Sequence, residues 1–392
     1  MELEASIALR VLSSFVLLFV SLFPLLPSKE PSHSFFAPTF FSSSSNLSAQ
    51  SVWSGIYLPF VVQSCTCRNL KMMRAKAIGF IGLGNMGFSM ATNLAEKLPA
   101  NSSVHVFDIV PALMDDICAK YPDRVVGCSG PKDVADKSDI IITMLPEGKH
   151  VKAVYMGPDG ICSSDVGQKL LIDCSTIDTA SFLEIKDHVS KNFPSASFYD
   201  APVSGGVIGA ERGMIAFFLG CAEDSTKDIE ELRQLFSLMG NKLIPCGGPS
   251  LGIAAKLSNN YLSGIIAIAC SEAMDMGMKS GLDPRILAQV YAAGNAQNTI
   301  CDRFNPVPGV DPDSPSSNGY QKGFKVQLMK KDISLALDMA RRVGSTNVLG
   351  SVGLQTYTEA SEDERCKDLD SRIVFRYLGG NENWKGDHEN EN

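Results

Sequence analysis

The sequence predicts an α/β protein, with a doubly wound parallel sheet in its first part and an all-α C-terminal domain built on one long buried helix. Three observations carry that expectation. A short apolar strand, Ala77 to Ile81, runs into a glycine turn; strand and helix patterns then alternate as far as Tyr199; and from Leu251 an apolar stretch keeps helical spacing for many turns. The 392 residues exceed what one ordinary core holds, so two domains are expected.

The glycine turn is Gly82, Leu83, Gly84, Asn85, Met86 and Gly87, a G-x-G-x-x-G, with Met90, Ala91, Leu94 and Ala95 following at helical spacing. Gly82 permits the tight turn, Gly84 lets backbone approach a pyrophosphate, and Gly87 lets helix pack on strand. Phosphates are then expected on the free N–H groups and positive dipole end of the new helix. A second strand, Val104 to Phe107, ends in Asp108, 21 residues beyond Gly87. A ribose-binding acid falls roughly 20 residues on in the Rossmann fingerprint. A carboxylate there accepts from the adenosine ribose hydroxyls and repels a 2′-phosphate, and Ile109, Val110 and Pro111 supply no Arg to receive one. NAD is therefore expected rather than NADP. The alternative is a glycine turn in an ordinary α/β domain with an exposed Asp.

Val125 to Val126 continues the pattern as a strand and Pro131 to Ala135 starts a helix. Asp139 to Met144 reads as a buried strand ending at Leu145-Pro146, and Leu170 to Asp173 as another ending at Ser175-Thr176. Ligands bind beyond the carboxyl ends of such strands, which puts Leu145, Pro146 and Thr176 on the nicotinamide side. Each could equally be a plain connector, Thr176 serving as a helix cap.

Asp200 to Gly206 reads Asp-Ala-Pro-Val-Ser-Gly-Gly after the strand-like Phe198-Tyr199. Ser204, Gly205 and Gly206 offer a hydroxyl and two unobstructed N–H groups, a cradle for a carboxylate; a Pro-Gly surface turn is the alternative. After Gly247-Gly248-Pro249 the long helix runs to about Gly281, apolar nearly all round, as a helix buried in a domain or an interface would be. Lys256 and Asn260 stand in it one turn apart on one face. Desolvation disfavours an ammonium there and lowers its pKa toward neutrality, as a general acid/base requires. The alternative is a lysine snorkelling from exposed first turns.

Formal net charge is −8, which argues against a nucleic-acid surface. The 11 cysteines are scattered and odd in number, so reduced thiols are expected. No cysteine or histidine spacing forms a metal site. Residues 1–74 read as a targeting or non-structural segment: an apolar run from Val11 to Leu26, a Ser- and Phe-rich stretch, then Met72 and Met73 just before the first strand. The expected divisions are 1–74, a dinucleotide-binding domain over 75–247, an all-α catalytic and dimerisation domain over 248–378, and a polar, disordered tail over 379–392.

Phe80-Ile-Gly-Leu-Gly-Asn-Met-Gly-Phe-Ser-Met, Asp200-Ala-Pro-Val-Ser-Gly-Gly and Gly252-Ile-Ala-Ala-Lys-Leu-Ser-Asn-Asn together resemble the β-hydroxyacid dehydrogenase family. Asn305-Pro-Val-Pro-Gly-Val and Gly323-Phe-Lys-Val-Gln-Leu-Met-Lys-Lys-Asp narrow the resemblance to its valine-breakdown branch, which is mitochondrial in eukaryotes. The resemblance spans about Ile78 to Tyr357. It implies NAD-dependent oxidation of a small 3-hydroxy acid, 3-hydroxyisobutyrate, to methylmalonate semialdehyde, by a homo-oligomer with no stable membrane association. It further implies that Gly82 to Gly87 and Asp108 hold NAD with Leu145, Pro146, Thr176 and Lys331. Lys256 is then the catalytic lysine, and Ser204, Gly205, Gly206 and Asn260 hold the substrate. His150 stands where the family usually has Asn beside the cofactor. Beyond Tyr357 the family's Gly and Asp-Phe-Ser ending is replaced by Ser361 to Asp370, so the last helix is expected to be altered. Rival readings are a glyoxylate or succinic semialdehyde reductase using NADPH, 6-phosphogluconate decarboxylation, and a non-catalytic NAD-binding module.

Overall fold

A computed structural model describes residues 76–385 except 223 and 225–227; the expectations for residues 1–74 lie outside the described residues. The chain enters a βα alternation: β1 (Ala77–Ile81), α1 (Asn85–Lys97), β2 (Ser103–Phe107), α2 (Pro111–Lys120), β3 (Val125–Gly127), α3 (Pro131–Lys137) and β4 (Ile140–Thr143). It continues with α4 (Gly148–Met156), β5 (Leu170–Asp173), α5 (Thr179–Asn192) and β6 (Ser197–Asp200). The six strands pair in parallel in the order β3-β2-β1-β4-β5-β6, the doubly wound arrangement whose strand order reverses between β1 and β4. The central strands β4 and β5 are apolar up to their last residues, Thr143 and Asp173, because both faces are covered: every residue of the two is buried. Phe80, Ile142 and Ile172 pack toward Met90 and Leu94 of α1, while Ile81, Ile141 and Leu171 pack toward Tyr155 of α4 and Phe182 of α5. Each such side chain contributes about 1.5–3 kcal/mol on burial.

A second, mixed sheet follows, which the sequence reading did not anticipate. It comprises β7 (Val203–Ser204), β8 (Ile215–Leu219) and β9 (Gly240–Pro245), with α6 (Gly206–Glu211) and α7 (Ile229–Met239) between them. β7 has two residues, too few to show a period, and its antiparallel partner β8 breaks the βα rhythm. The sheet closes over the α1 side of the core, with Phe217 stacked on Phe236 at 4.2 Å between ring centroids.

From α8 (Leu251–Lys279) onward the named elements are helical: α9 (Pro284–Ala293), α10 (Thr299–Arg303), α11 (Val326–Val343), α12 (Gly350–Glu362) and α13 (Val374–Tyr377), with short 3-10 turns between. The parallel sheet sets where α8 begins. Asp200, at the end of β6, accepts from Ser250 N and Ile253 N at 2.9 Å each, a negative charge on the positive end of the helix dipole. Tyr357 of α12 donates its hydroxyl to Gly264 O of α8 at 3.0 Å.

The expected disordered tail needs correcting for residues 379–385. Arg376 pairs with Glu382 at 2.6 Å, and Trp384, 3% exposed, donates its indole N–H to Pro308 O at 2.8 Å. One aromatic ring with a single donor found both an apolar seat, beside Met274, Val307 and Phe375, and an acceptor, which the polar residues around it concealed.

Candidate active site

A cleft of about 650 Å³ opens over the carboxyl ends of the parallel strands, beside the β1/β4 reversal. Gly82, Gly84, Asn85, Met86 and Gly87 line it after β1, Asp108 after β2, Leu145 and Pro146 after β4, and Thr176 after β5. His150 of α4 lies among them, and the helical half contributes Lys256 of α8 with Lys331 and Asp332 of α11. Residues as far apart in the sequence as Gly82 and Asp332 thus meet in one space.

The glycine turn has the shape a diphosphate needs. Gly82 adopts φ +98°, and a Cβ there would lie 2.3 Å from Met144 O. At Gly87 a Cβ would lie 1.9 Å from Gly82 O, so helix and turn could not close together. A Cβ on Gly84 would meet nothing within 4 Å, which leaves open space at the start of α1 where its free N–H groups point. Asp108 is tied down by its neighbours: Leu83 N donates to Oδ2 at 2.6 Å and Val110 N to Oδ1 at 2.8 Å. Each oxygen keeps a lone pair for a ribose hydroxyl. These residues fit a nicotinamide dinucleotide. Leu83 is the exception in the turn: its side chain is fully buried in the core and its N–H is taken by Asp108, so it does not line the cleft.

Lys256 lies near the start of α8 and is only 8% exposed, which removes the snorkelling alternative. Burial pulls its ammonium down to about 8; Asp332 opposes the shift and Lys331 adds to it. Asp332 is 2% exposed and accepts from Asn260 Nδ2 at 2.6 Å. Asn260 therefore faces the charged group on α11 and is not itself among the lining residues. Sequence reasoning missed Asp332. Its signal was available: an acid at the same helical spacing as the buried Met329, Ile333 and Ala336 of an otherwise amphipathic helix. Lys331 Nζ donates to Thr176 O at 2.8 Å and Pro146 O at 3.2 Å, and lies 3.3 Å from Asp332 Oδ1. It joins the loops after β4 and β5 to the helical half.

Ser204, Gly205 and Gly206 sit where β7 turns into α6. Gly205 and Gly206 take φ +137° and +64°, which a side chain would strain. Gly206, Val203 and Val207 line the cleft, whereas Ser204 and Gly205 stand beside it. Opposite, the loop Gly323-Phe324-Lys325 lines it from the helical half. Asp370, 1% exposed, holds that loop: Phe324 N donates to its Oδ2 at 2.7 Å, and a Cβ on Gly323 would lie 1.8 Å from the same oxygen. The segment that departs from the family pattern therefore ends on a side chain that shapes the cleft.

Comparison with known proteins agrees with this geometry. The NAD binding domain model of 6-phosphogluconate dehydrogenase matches residues 77–248, and the model described as NAD-binding of NADP-dependent 3-hydroxyisobutyrate dehydrogenase matches 251–378. The mitochondrial 3-hydroxyisobutyrate dehydrogenase of Mus musculus is 39% identical over 328 residues, 83% of this chain and 93% of its own length. The NAD-dependent L-serine dehydrogenase of Pseudomonas aeruginosa is 35% identical over 72% of this chain and 91% of its own length. Among solved structures, that of Mycobacterium tuberculosis 3-hydroxyisobutyrate dehydrogenase with L-serine superposes with a TM-score of 0.70 at 32% identity, covering 78% of this chain and 99% of that one.

Proposed function

The chain belongs to the 3-hydroxyisobutyrate dehydrogenase family, and from that premise we propose that it oxidises 3-hydroxyisobutyrate to methylmalonate semialdehyde with NAD, using Lys256 as general acid/base. The observation that carries the reading is a buried lysine, drawn down to about 8, in the same cleft as the glycine turn and Asp108.

A bound NAD would supply the acceptor for the hydride that leaves the carbon bearing the substrate hydroxyl. Gly82, Gly84 and Gly87 give the diphosphate its backbone seat, Asp108 receives the adenosine ribose, and Leu145, Pro146 and Thr176 border the nicotinamide half with His150 and Lys331. Ile109, Val110 and Leu113, which line the cleft beyond Asp108, carry no cation for a 2′-phosphate, which supports NAD over NADP. Gly206 and its neighbours Ser204 and Gly205 offer hydrogen-bond donors to the substrate carboxylate. Neutral Lys256 accepts the hydroxyl proton as the carbonyl forms, and in the reverse direction its ammonium returns it. Asn260 positions Asp332, whose negative charge opposes the loss of the Lys256 proton.

The test is a panel of 3-hydroxy acids assayed with NAD and with NADP at the nicotinamide absorbance band. 3-Hydroxyisobutyrate with NAD should give the highest kcat/KM. A higher value with NADP overturns the cofactor choice, and NADH binding without any turnover leaves only a nucleotide-binding module. The second reading, oxidation of L-serine, is favoured by the serine dehydrogenase relative and belongs in the same panel. The mitochondrial naming of the mouse relative supports that compartment for this chain. Exposed Leu262 and Met276 on α8 and Val290 on α9 support a homo-oligomer, which sedimentation would measure.

A further inference from the structure

One layer behind the cleft lies a buried carboxylate that the reaction does not use. Asp173, at the end of β5, is fully buried, and its Oδ1 receives Ser175 Oγ at 2.6 Å, Thr143 Oγ1 at 2.7 Å and Ser175 N at 3.3 Å. The two hydroxyl contacts have the length of charge-assisted bonds. A serine hydroxyl has one proton. With that proton committed to Asp173, Ser175 Oγ is left to accept, and it accepts from Leu145 N at 2.8 Å. The same peptide unit carries Met144 O, the atom that a Cβ on Gly82 would meet at 2.3 Å. Asp173, Ser175, the Met144–Leu145 peptide and the Gly82 turn therefore touch in series, and the last two line the cleft.

We propose that Asp173 and Ser175 are positioning residues for the dinucleotide. Asp173 fixes the direction of the Ser175 hydroxyl, and Ser175 holds the Met144–Leu145 peptide plane against the phosphate turn and beside the nicotinamide half. A neutral side chain in place of Asp173 would leave Ser175 free to turn its proton toward Leu145, where it would oppose the N–H instead of receiving it. Thr143 gives Asp173 a bond of the same kind but holds nothing in the cleft wall. That makes it an internal control.

This inference rests on the nicotinamide reading of the cleft, and the experiment separates the two. Ser175→Ala and Thr143→Val each remove one hydroxyl bond from the same carboxylate oxygen, and only the first also frees Leu145 N. KM for NAD and the dissociation constant of NADH, followed by its fluorescence, would be measured on the full-length protein. Ser175→Ala should raise both about tenfold, the scale of one buried donor left unpaired, with KM for the hydroxy acid moving less than twofold. Thr143→Val should move both NAD constants less than twofold even if it melts as early. Ser175→Cys, which fills the same space with a poor acceptor, should repeat the Ser175→Ala result and replaces it if that variant does not fold; Ser175→Thr should restore near-normal binding. Equal effects at Ser175 and Thr143, or unmoved NAD constants in the Ser175 variants, overturn the proposal while leaving the dehydrogenase intact. Failure of the unaltered protein to bind NADH would instead overturn the reading of the cleft.

Discussion

The two halves of the cleft are made of different material. The sheet side is backbone: glycines at fixed contact distances, peptide N–H groups at a helix start, and strand ends held in register. The helical side is side-chain charge: buried Lys256 and Asp332, with half-buried Lys331 beside them, on two packed helices. A backbone site is pre-formed and costs nothing extra in the absence of ligand, so damage to it should harm folding and binding together. A buried ammonium is a standing cost that the fold carries for chemistry, so removing it should harm the reaction and help the fold.

The sharpest way to break that contrast is Lys256→Met. Turnover should fall by roughly 10²-fold or more. Melting temperature should rise, because a lysine drawn from 10.5 to about 8 costs the fold about 3 kcal/mol below that pH. The sign follows from the protons: between about 8 and 10.5 the unfolded chain holds more of them, so this site's penalty fades as pH rises through that window. A Met variant that melts earlier than the parent would refute the description of the helical side. Gly87→Ala is the counterpart on the sheet side. With a Cβ only 1.9 Å from Gly82 O, it should lose about 1–3 kcal/mol of stability and weaken NADH binding in parallel, checked by denaturant unfolding and fluorescence titration. Asp108→Ser should raise KM for NAD about tenfold and lower that for NADP, read from initial rates with each cofactor. Asp332→Asn is the smallest of these changes. It keeps an acceptor for Asn260 but removes the charge that holds the lysine's proton, so the rise of oxidation rate with pH, centred near 8 in the parent, should move to lower pH.

The same division explains what could be read in the sequence. Backbone sites leave a composition signature, since glycine alone fits where a Cβ would strike an oxygen, and Gly82 and Gly87 were legible for that reason, with Gly84 and Asp108 legible from their spacing to them. Lys256 was legible as a charge inside an apolar helix. Asp173 was not, because it ends a strand pattern that already had a structural meaning and its partner Thr143 is 30 residues away; Asp332 left a signal, an acid on the buried face of an amphipathic helix, but its partner Asn260 is 72 residues away. The mixed sheet escaped because two-residue β7 has no period. Trp384 escaped because its acceptor, Pro308, is 76 residues upstream.

Asp370 gives the chain a temporal order. A ribosome delivers the glycine turn first, Lys256 well after it, and Asp370 after both. Until Asp370 emerges, Phe324 N has no carboxylate to close on and Gly323 has nothing to make room for. The glycine turn and Lys256 are thus synthesised before the carboxylate that fastens the Gly323-Phe324-Lys325 side of the cleft, so that wall is the last of the three to be set.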